Sequence, residues 1–190
     1  KAMRIVGGRH RGRRLAAPQG QTTRPTSGRA RESLFSMLAH GNFYDGDVFK
    51  GARVLDAFCG SGALGLEARS RGAGYVTLMD NDSAAIAVAQ ENSTLLNETA
   101  HVTCFSRDAT NPPRAKEPCS LVFLDPSYGG GLAGAALTAL EGQGWLAQDA
   151  LCVVETAKDE AFTSPPGFTI LKERKIGAGR FHILRYLGGA

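Results

Sequence analysis

The segment Asp125-Pro126-Ser127-Tyr128 directly follows an apolar run and carries groups suited to chemistry at an amine. The exocyclic amine of a nucleic-acid base is a poor nucleophile, because its lone pair is delocalised into the ring. The Asp125 carboxylate and the Pro126 carbonyl can accept hydrogen bonds from its N–H groups and stabilise the positive charge that develops on nitrogen. Tyr128 offers a ring on which the base can stack. We therefore predict that residues 125–128 are catalytic; the simpler interpretation is a turn that ends a strand.

A glycine-rich segment, Gly60-Ser61-Gly62-Ala63-Leu64-Gly65, lies between a predicted strand and a predicted helix. Glycines at this spacing allow a tight turn and a close approach of the backbone to a ligand. Dinucleotide-dependent oxidoreductases and methyltransferases share the pattern. Asp56 favours the methyltransferases, because a carboxylate there would oppose a pyrophosphate but attract the ammonium and sulfonium groups of S-adenosylmethionine. We therefore predict S-adenosylmethionine as the cofactor.

Two further acidic residues follow predicted strands. Asp80 ends the second strand of the sheet, where a carboxylate can bind ribose hydroxyls. Asp108 comes just after the third strand, near the expected position of the adenine amino group; alternatively, it is a turn residue before Asn111. The predicted cofactor-binding residues are Asp56, Gly60, Ser61, Gly62, Asp80, Asn81, Asp108 and Ala109.

The spacing of the cysteines and the hydropathy of the chain bear on metal binding, redox state and membrane insertion. The four cysteines are scattered, without metal-ligand spacing, so we predict no metal site and a reduced, cytoplasmic protein. No apolar run approaches the roughly 20 residues needed to cross a bilayer.

Positive charge is concentrated near the N-terminus. Residues 1–31 hold nine cations and no acidic residue, whereas the other 159 residues carry 13 cations and 18 acidic residues. A basic segment on an acidic body is typical of polyanion binding, and arginine suits phosphate contacts. The alternative is a solvated or disordered tail. The predicted contact residues are Arg9, Arg11, Arg13, Arg14, Arg24, Arg29 and Arg31; a second contact could come from Lys172, Arg174, Lys175 and Arg180.

The hydrophobic pattern predicts an α/β fold. Residues 27–40 have the spacing of a helix, and from residue 53 onwards short apolar strands alternate with helical segments. Repeated strand–helix units imply a mostly parallel sheet that binds ligands at the carboxyl ends of its strands. Residues 169–171 and 181–186 are close enough to form an antiparallel pair. We predict a basic arm and helix over residues 1–50 and a catalytic domain over 51–190.

Several segments resemble the bacterial RsmD-type family, which methylates the N2 amine of one guanine in 16S rRNA of the small ribosomal subunit. The resemblance covers nearly the whole chain. Its motifs are Arg4-Ile5-Val6-Gly7-Gly8, Arg11-Gly12-Arg13, Arg24-Pro25-Thr26, Arg31-Glu32-Ser33-Leu34-Phe35, Leu55 to Gly65, Gly144-Trp145-Leu146 and Val154-Glu155. One departure is Ser127, where the family usually has a second proline.

The resemblance implies a Rossmann-like class I methyltransferase with a seven-stranded, mostly parallel sheet and an antiparallel last strand. It also implies that the basic segment contacts rRNA, within the small subunit or an assembly intermediate, and we expect a monomer. The nearest alternative acceptor is another amine: adenine N6 in DNA or RNA, or a protein glutamine. A nicotinamide-dependent oxidoreductase and a non-enzymatic RNA-binding assembly factor are the alternatives from other classes.

Overall fold

Helices and strands alternate along most of the chain. The computed structural model describes residues 3–19, 26–126 and 131–188. The helices are α1 (Gly28–His40), α2 (Ala63–Ser70), α3 (Ser83–Leu95) and α4 (Leu132–Gly142). The strands are β1 (Met3–Arg4), β2 (Arg14–Leu15), β3 (Arg53–Asp56), β4 (Tyr75–Asp80), β5 (Val102–Ser106), β6 (Cys119–Leu124), β7 (Leu146–Ala157), β8 (Phe168–Ile176) and β9 (Gly179–Tyr186). Within the described ranges, no helix is long and apolar enough to cross a membrane.

Seven strands form one sheet in the order β5-β4-β3-β6-β7-β9-β8. Strands β3 to β7 are parallel, whereas β9 runs antiparallel to both of its neighbours. The predicted α/β fold and antiparallel last strand are therefore confirmed. From β3 the chain proceeds to β4 and β5 on one side and then returns to β6 on the other. Open α/β sheets bind ligands at such a reversal, outside the carboxyl ends of the strands.

Alternate residues of the central strands enter two hydrophobic layers. On β3, Val54 packs on the side of α1, α2 and α3, while Leu55 packs on the side of α4. On β6, Phe123 and Leu124 divide in the same way. Because both faces of the central strands are covered, their sequences are almost continuously apolar.

Helix α1 begins as the sequence predicts. The Ser27 side chain accepts a hydrogen bond from the Ala30 backbone N–H at 3.1 Å, which caps the first turn. Further along the helix, Phe35 stacks on Phe49 and also contacts Phe123 of β6. Helix α1 therefore belongs to the same core as the sheet, and the division of the chain at residue 50 remains a prediction about function.

The N-terminal segment forms a small hairpin, β1–β2, which is docked on α2 and α3. The Glu67 carboxylate of α2 accepts hydrogen bonds from the Val6 and Gly7 N–H groups, each at 2.9 Å. Asn92 of α3 exchanges hydrogen bonds with the Ala16 backbone. Ile5 is buried in the core. The hairpin is thus held against the body of the protein, in contrast to the alternative of a disordered tail.

Candidate active site

Four acidic residues lie at the carboxyl ends of four neighbouring strands. Asp56 ends β3 and Asp80 ends β4, whereas Asp125 directly follows β6. Glu155 of β7 lies beside Asp125, because the preceding residues Leu124 and Val154 are paired in the sheet. Since β4, β3, β6 and β7 are adjacent in that order, the four carboxyl groups share one edge.

The glycine segment forms a tight turn at this edge. The Gly60 N–H donates to Asp80 Oδ2 at 2.9 Å, and the Gly62 N–H donates to the Cys59 carbonyl at 2.7 Å. Gly60 and Gly62 have φ angles of +54° and +85°, in the left-handed region that favours glycine. A Cβ on Gly60 would meet no atom within 4 Å. The backbone there is open to close approach by a ligand.

Asp56 is the most buried of the four acidic residues, with 1% of its surface exposed. Its Oδ2 accepts a hydrogen bond from the Gly65 N–H at 3.0 Å, while Oδ1 is buried and has no partner among the described residues. Burial raises the pKa of Asp56, the Gly65 hydrogen bond lowers it, and the charges of Asp125 and Asp80 raise it, so that the resulting pKa is about 7. A buried carboxyl oxygen without a partner is suited to a cationic group.

These features fit S-adenosylmethionine. Asp56 Oδ1 would receive the ammonium group, and the half-exposed Asp80 carboxylate would receive ribose hydroxyls. Helix α2 begins at Ala63, and its N-cap Gly62 has no side chain to cap the first turn; the Gly65 N–H of that turn donates to Asp56. The residues of this edge can therefore hold both ends of the cofactor.

Asp125 and Glu155 form a pair of carboxyl groups that hydrogen-bond to each other. The Thr26 hydroxyl lies 3.0 Å from Glu155 Oε2 and 3.5 Å from Asp125 Oδ2. Burial raises the pKa of Asp125 above its usual value. The hydrogen bonds of Asp125 with Glu155 and Thr26 act in the opposite direction and lower this pKa. Burial and the neighbouring Asp125 together raise the pKa of Glu155 to about 8, although the Thr26 hydrogen bond lowers it.

A cavity of about 250 Å³ opens beside this pair. Pro126 and Glu155 line one part of it, and Leu132 of α4 and Phe162 line another. The cavity combines apolar walls with a carboxyl group, as binding sites for small organic groups commonly do. Glu155, which lines the cavity, connects it to Asp125 through the hydrogen bond between the two carboxyl groups.

The remaining predicted cofactor residues take different positions. Asp108 Oδ1 accepts hydrogen bonds from the N–H and the hydroxyl of Thr110, so this carboxylate stabilises a turn. The turn lies close to β4, because the Arg107 N–H donates to the Asp80 carbonyl at 2.9 Å. Ala109 is buried, as is Ser61, and Asn81 is exposed. A cofactor-binding role for these four residues remains a prediction.

Most of the predicted polyanion-binding arginines are exposed. They are Arg9, Arg11, Arg13, Arg14 and Arg29. The hairpin that carries the first four extends along α2: Met3 lies beside Ser61 near the glycine turn, and the Arg9 N–H bonds to the Ser70 carbonyl at the far end of the helix. The exposed cations therefore extend from the candidate site along one side of the molecule.

A second basic surface lies between α1 and β8. The groove there is lined by Arg29, His40, Lys172 and Arg174, with Glu32 as its acidic residue. The β8–β9 turn lies between this groove and the Asp125–Glu155 pair, because Gly177 packs against Ala30 of α1 and Gly179 lies against the Glu155 carboxyl group.

Comparison with known proteins identifies the family. A family model described as "Conserved hypothetical protein 95" matches residues 3–185. The ribosomal RNA small subunit methyltransferase D of Escherichia coli is 36% identical over 176 residues, which cover 92% of this chain and 85% of that protein. The chain belongs to the RsmD family.

Other members agree with this assignment. The protein of the same name from Haemophilus influenzae is 35% identical over 92% of this chain and 89% of its own length. A solved Escherichia coli structure titled "Putative methyltransferase yhhF" is 31% identical, covers 100% of both chains and superposes with a TM-score of 0.81. The chain is accordingly an S-adenosylmethionine-dependent methyltransferase, as the sequence predicted.

Arg31 does not lie on the predicted polyanion-binding surface. Only 1% of its surface is exposed. Its guanidinium donates to the Arg4 carbonyl at 2.8 Å and lies 3.3 Å from Glu67 Oε1. Arg31 therefore connects α1, α2 and the hairpin inside the protein, and the proposed contact surface excludes it. The signal that was overlooked is its helical spacing, since Arg31 lies three and seven residues before the buried Leu34 and Leu38.

Three predicted site residues, Ser127, Tyr128 and Arg24, lie outside the described residues. Asp125 and Pro126 are described and lie where the motif requires, at the end of β6. Among the described residues, no group of histidine, cysteine and acidic residues suited to a metal ion was found.

Sequence reasoning missed Glu155 and Thr26 as members of the site. Glu155 directly follows the apolar residues 151–154, so it gave the same signal as Asp56 and Asp80, an acidic residue at the end of a predicted strand. Thr26 gave no such signal. It reaches Glu155 across 129 positions of sequence, through the packing of α1.

Proposed function

We propose that this chain transfers a methyl group from S-adenosylmethionine to the N2 amine of a guanine in 16S rRNA. The observation that carries the proposal is the placement of Asp56 and Asp125 at the ends of the adjacent strands β3 and β6. Asp56 Oδ1 has no hydrogen-bond partner among the described residues and is therefore available to the cofactor. The names of the RsmD relatives support small-subunit rRNA as the substrate.

On the cofactor side, Asp56 and Asp80 fix the two ends of the ligand, and the glycine turn lets the backbone approach it. When bound, the cofactor supplies an electrophilic methyl group on a sulfonium. The chain contributes orientation, because holding two reactants in line removes much of the entropic barrier to their reaction.

On the acceptor side, the Asp125 carboxylate accepts a hydrogen bond from the amine, and the Pro126 carbonyl accepts a second. These acceptors oppose delocalisation of the nitrogen lone pair and stabilise the charge that develops during transfer. The proline fixes its own φ angle and so helps to aim that carbonyl.

On the RNA side, the exposed arginines contact phosphates, which position the RNA without reading its sequence. The surface comprises the hairpin arginines and the groove between α1 and β8. The predicted substrate is the small subunit or an assembly intermediate, modified by a monomer in the cytoplasm. Selection of one guanine requires an unstacked base that can enter the site.

A complementation experiment tests this function. A strain that lacks the gene receives the wild-type chain, Asp125→Asn or the exposed control Asp45→Asn, and nucleosides from its 16S rRNA are measured by mass spectrometry. We expect N2-methylguanosine to be restored by the wild type and the control. Loss of one charged acceptor should lower the rate by about 10²–10³-fold in Asp125→Asn.

The outcome also separates the alternatives. Restoration of methyladenosine in RNA or DNA, or of methylglutamine in a protein, would replace guanine as the acceptor. Full restoration by Asp125→Asn would remove Asp125 from the transfer step.

A further inference from the structure

Glu155 and Asp125 place two carboxyl groups side by side in a largely buried position. Their strands β7 and β6 are parallel neighbours, and the two groups hydrogen-bond directly to each other. Within the described residues, neither group forms a salt bridge with lysine, arginine or histidine. Two ionised carboxylates in hydrogen-bond contact repel each other, so such a pair holds a proton between its members.

The surroundings of Glu155 strengthen this requirement. From the β3 side, Asp56 interacts electrostatically with Asp125 and adds a negative charge when it is ionised. From the segment before α1, Thr26 contributes a neutral hydroxyl. From β9, Gly179 leaves space for the carboxyl group: a Cβ at that position would lie 2.5 Å from Glu155 Oε1.

Two more charged residues lie on neighbouring backbone around Glu155. Arg180 of β9 is paired in the sheet with Thr156, the residue after Glu155. Glu160, from the segment after β7, lines the same cavity as Glu155. The charge that raises the pKa of Glu155 itself is that of Asp125.

Burial raises the pKa of both carboxyl groups, and the neighbouring Asp125 adds to the rise for Glu155, whose pKa is about 8. Hydrogen bonds with Glu155 and Thr26 lower the pKa of Asp125, and the Thr26 hydrogen bond lowers that of Glu155. The pair therefore retains one proton at neutral pH. The Thr26 hydroxyl lies closer to Glu155 and holds that side chain against the start of α1.

We propose that Glu155 is a positioning residue for methyl transfer, whose shared proton keeps Asp125 ionised and aimed at the acceptor amine. This inference rests on the proposed function. An isolated buried aspartate would take up a proton itself and could no longer serve as a purely accepting carboxylate. With Glu155 as donor, one Asp125 oxygen is occupied and the other is free for the amine.

Glu155→Gln and Glu155→Ala test the proposal together. The glutamine amide can still donate to Asp125, whereas alanine cannot. We expect Glu155→Gln to keep kcat at neutral pH within about threefold of the wild type and Glu155→Ala to lower it by about tenfold or more. The wild-type loss of activity near pH 8, where Glu155 ionises, should be absent from Glu155→Gln. Glu91→Gln on the exposed face of α3 is the control.

A second readout does not depend on methyl transfer. The ¹³C signal of the Asp125 carboxyl group in the full chain should titrate in two linked steps in the wild type and in a single, lower step in Glu155→Gln. An unchanged Asp125 titration, or equal inactivity of the two Glu155 variants, would overturn the proposal. If the titration behaves as expected but the wild type methylates no guanine, the proposed function fails while the shared proton stands. Thermal unfolding and affinity for S-adenosylhomocysteine report whether each variant is folded.

Discussion

At the scale of single residues, Asp56 shows how burial prepares a carboxyl group for a cationic ligand. Without a ligand, ionisation of Asp56 is opposed by burial and by the nearby charges of Asp125 and Asp80, which together raise its pKa to about 7. An ammonium group beside the free Oδ1 would stabilise the ionised form and lower that pKa. Binding of the ligand and loss of the Asp56 proton are therefore coupled.

We predict that binding of S-adenosylhomocysteine releases a proton at pH 6 but not at pH 8. Below pH 7 most Asp56 is protonated and must ionise on binding, so affinity should rise with pH across this range. Calorimetry in buffers of different ionisation enthalpy measures the released proton. Asp56→Asn should weaken binding by about 10–100-fold and abolish the release. Equal release by the wild type and Asp56→Asn would contradict this account.

The same pKa shift has a consequence for stability without ligand. Because the pKa of Asp56 in the folded protein lies above its value of 3.8 in the unfolded chain, the ionised group disfavours the folded state. The contribution of this residue to stability is therefore complete at low pH and is lost as the pH rises through about 7.

At the scale of elements, the central strands and the antiparallel end of the sheet were predictable, because their apolar runs are continuous and are separated by amphipathic helices. Asp56, Asp80 and Asp125 followed from these strands, since parallel strands end at the same edge, whereas Glu155 was missed although it follows the same kind of apolar run. Docking of the hairpin was not predictable. It depends on Glu67, which lies within α2 and carries no local mark of the backbone groups that it binds.

The hairpin supplies a matched pair of glycine substitutions. Gly8 and Gly12 both have positive φ angles, +77° and +84°, so alanine is strained at both positions. A Cβ on Gly8 would lie 2.0 Å from the Ser70 carbonyl oxygen, whereas a Cβ on Gly12 would meet nothing within 4 Å. The backbone strain is therefore shared, and only Gly8→Ala also disturbs docking.

We predict that Gly12→Ala lowers the free energy of unfolding by about 1 kcal/mol and that Gly8→Ala costs about 1–3 kcal/mol more. Denaturant unfolding measures this difference. Amide exchange at Ile5, whose N–H bonds to the Arg13 carbonyl, should accelerate more in Gly8→Ala. Equal stability and exchange in the two variants would show that the hairpin is not docked on α2.

At the scale of the whole molecule, docking of the hairpin on α2 holds its exposed arginines on one surface of the protein. The chain has a net charge of +4, but its cations are concentrated near the N-terminus. Their exposed members lie along α2 and around the groove between α1 and β8. Such a distribution favours a long polyanion that crosses the candidate site, since several phosphates can be contacted together.

We predict that replacing Arg11 and Arg14 with alanine reduces the dependence of RNA affinity on salt. Each lost phosphate contact should lower the slope of log affinity against log salt by about 0.7–0.9. Arg114 and Lys116, two exposed cations before β6, provide a control with the same change in charge. Affinity for a 16S rRNA fragment, measured over a series of salt concentrations, gives both slopes. Equal slopes for the two double variants would remove the hairpin from the RNA-binding surface.

The most direct test of the account is transfer by the purified chain. Small-subunit particles from a strain lacking the gene are incubated with the protein and S-adenosylmethionine carrying a deuterated methyl group, and their nucleosides are analysed by mass spectrometry. We predict that the label appears in N2-methylguanosine from 16S rRNA and that Asp125→Asn greatly reduces it. Label in a different nucleoside, or no label in N2-methylguanosine with the folded, cofactor-binding protein, would contradict the account.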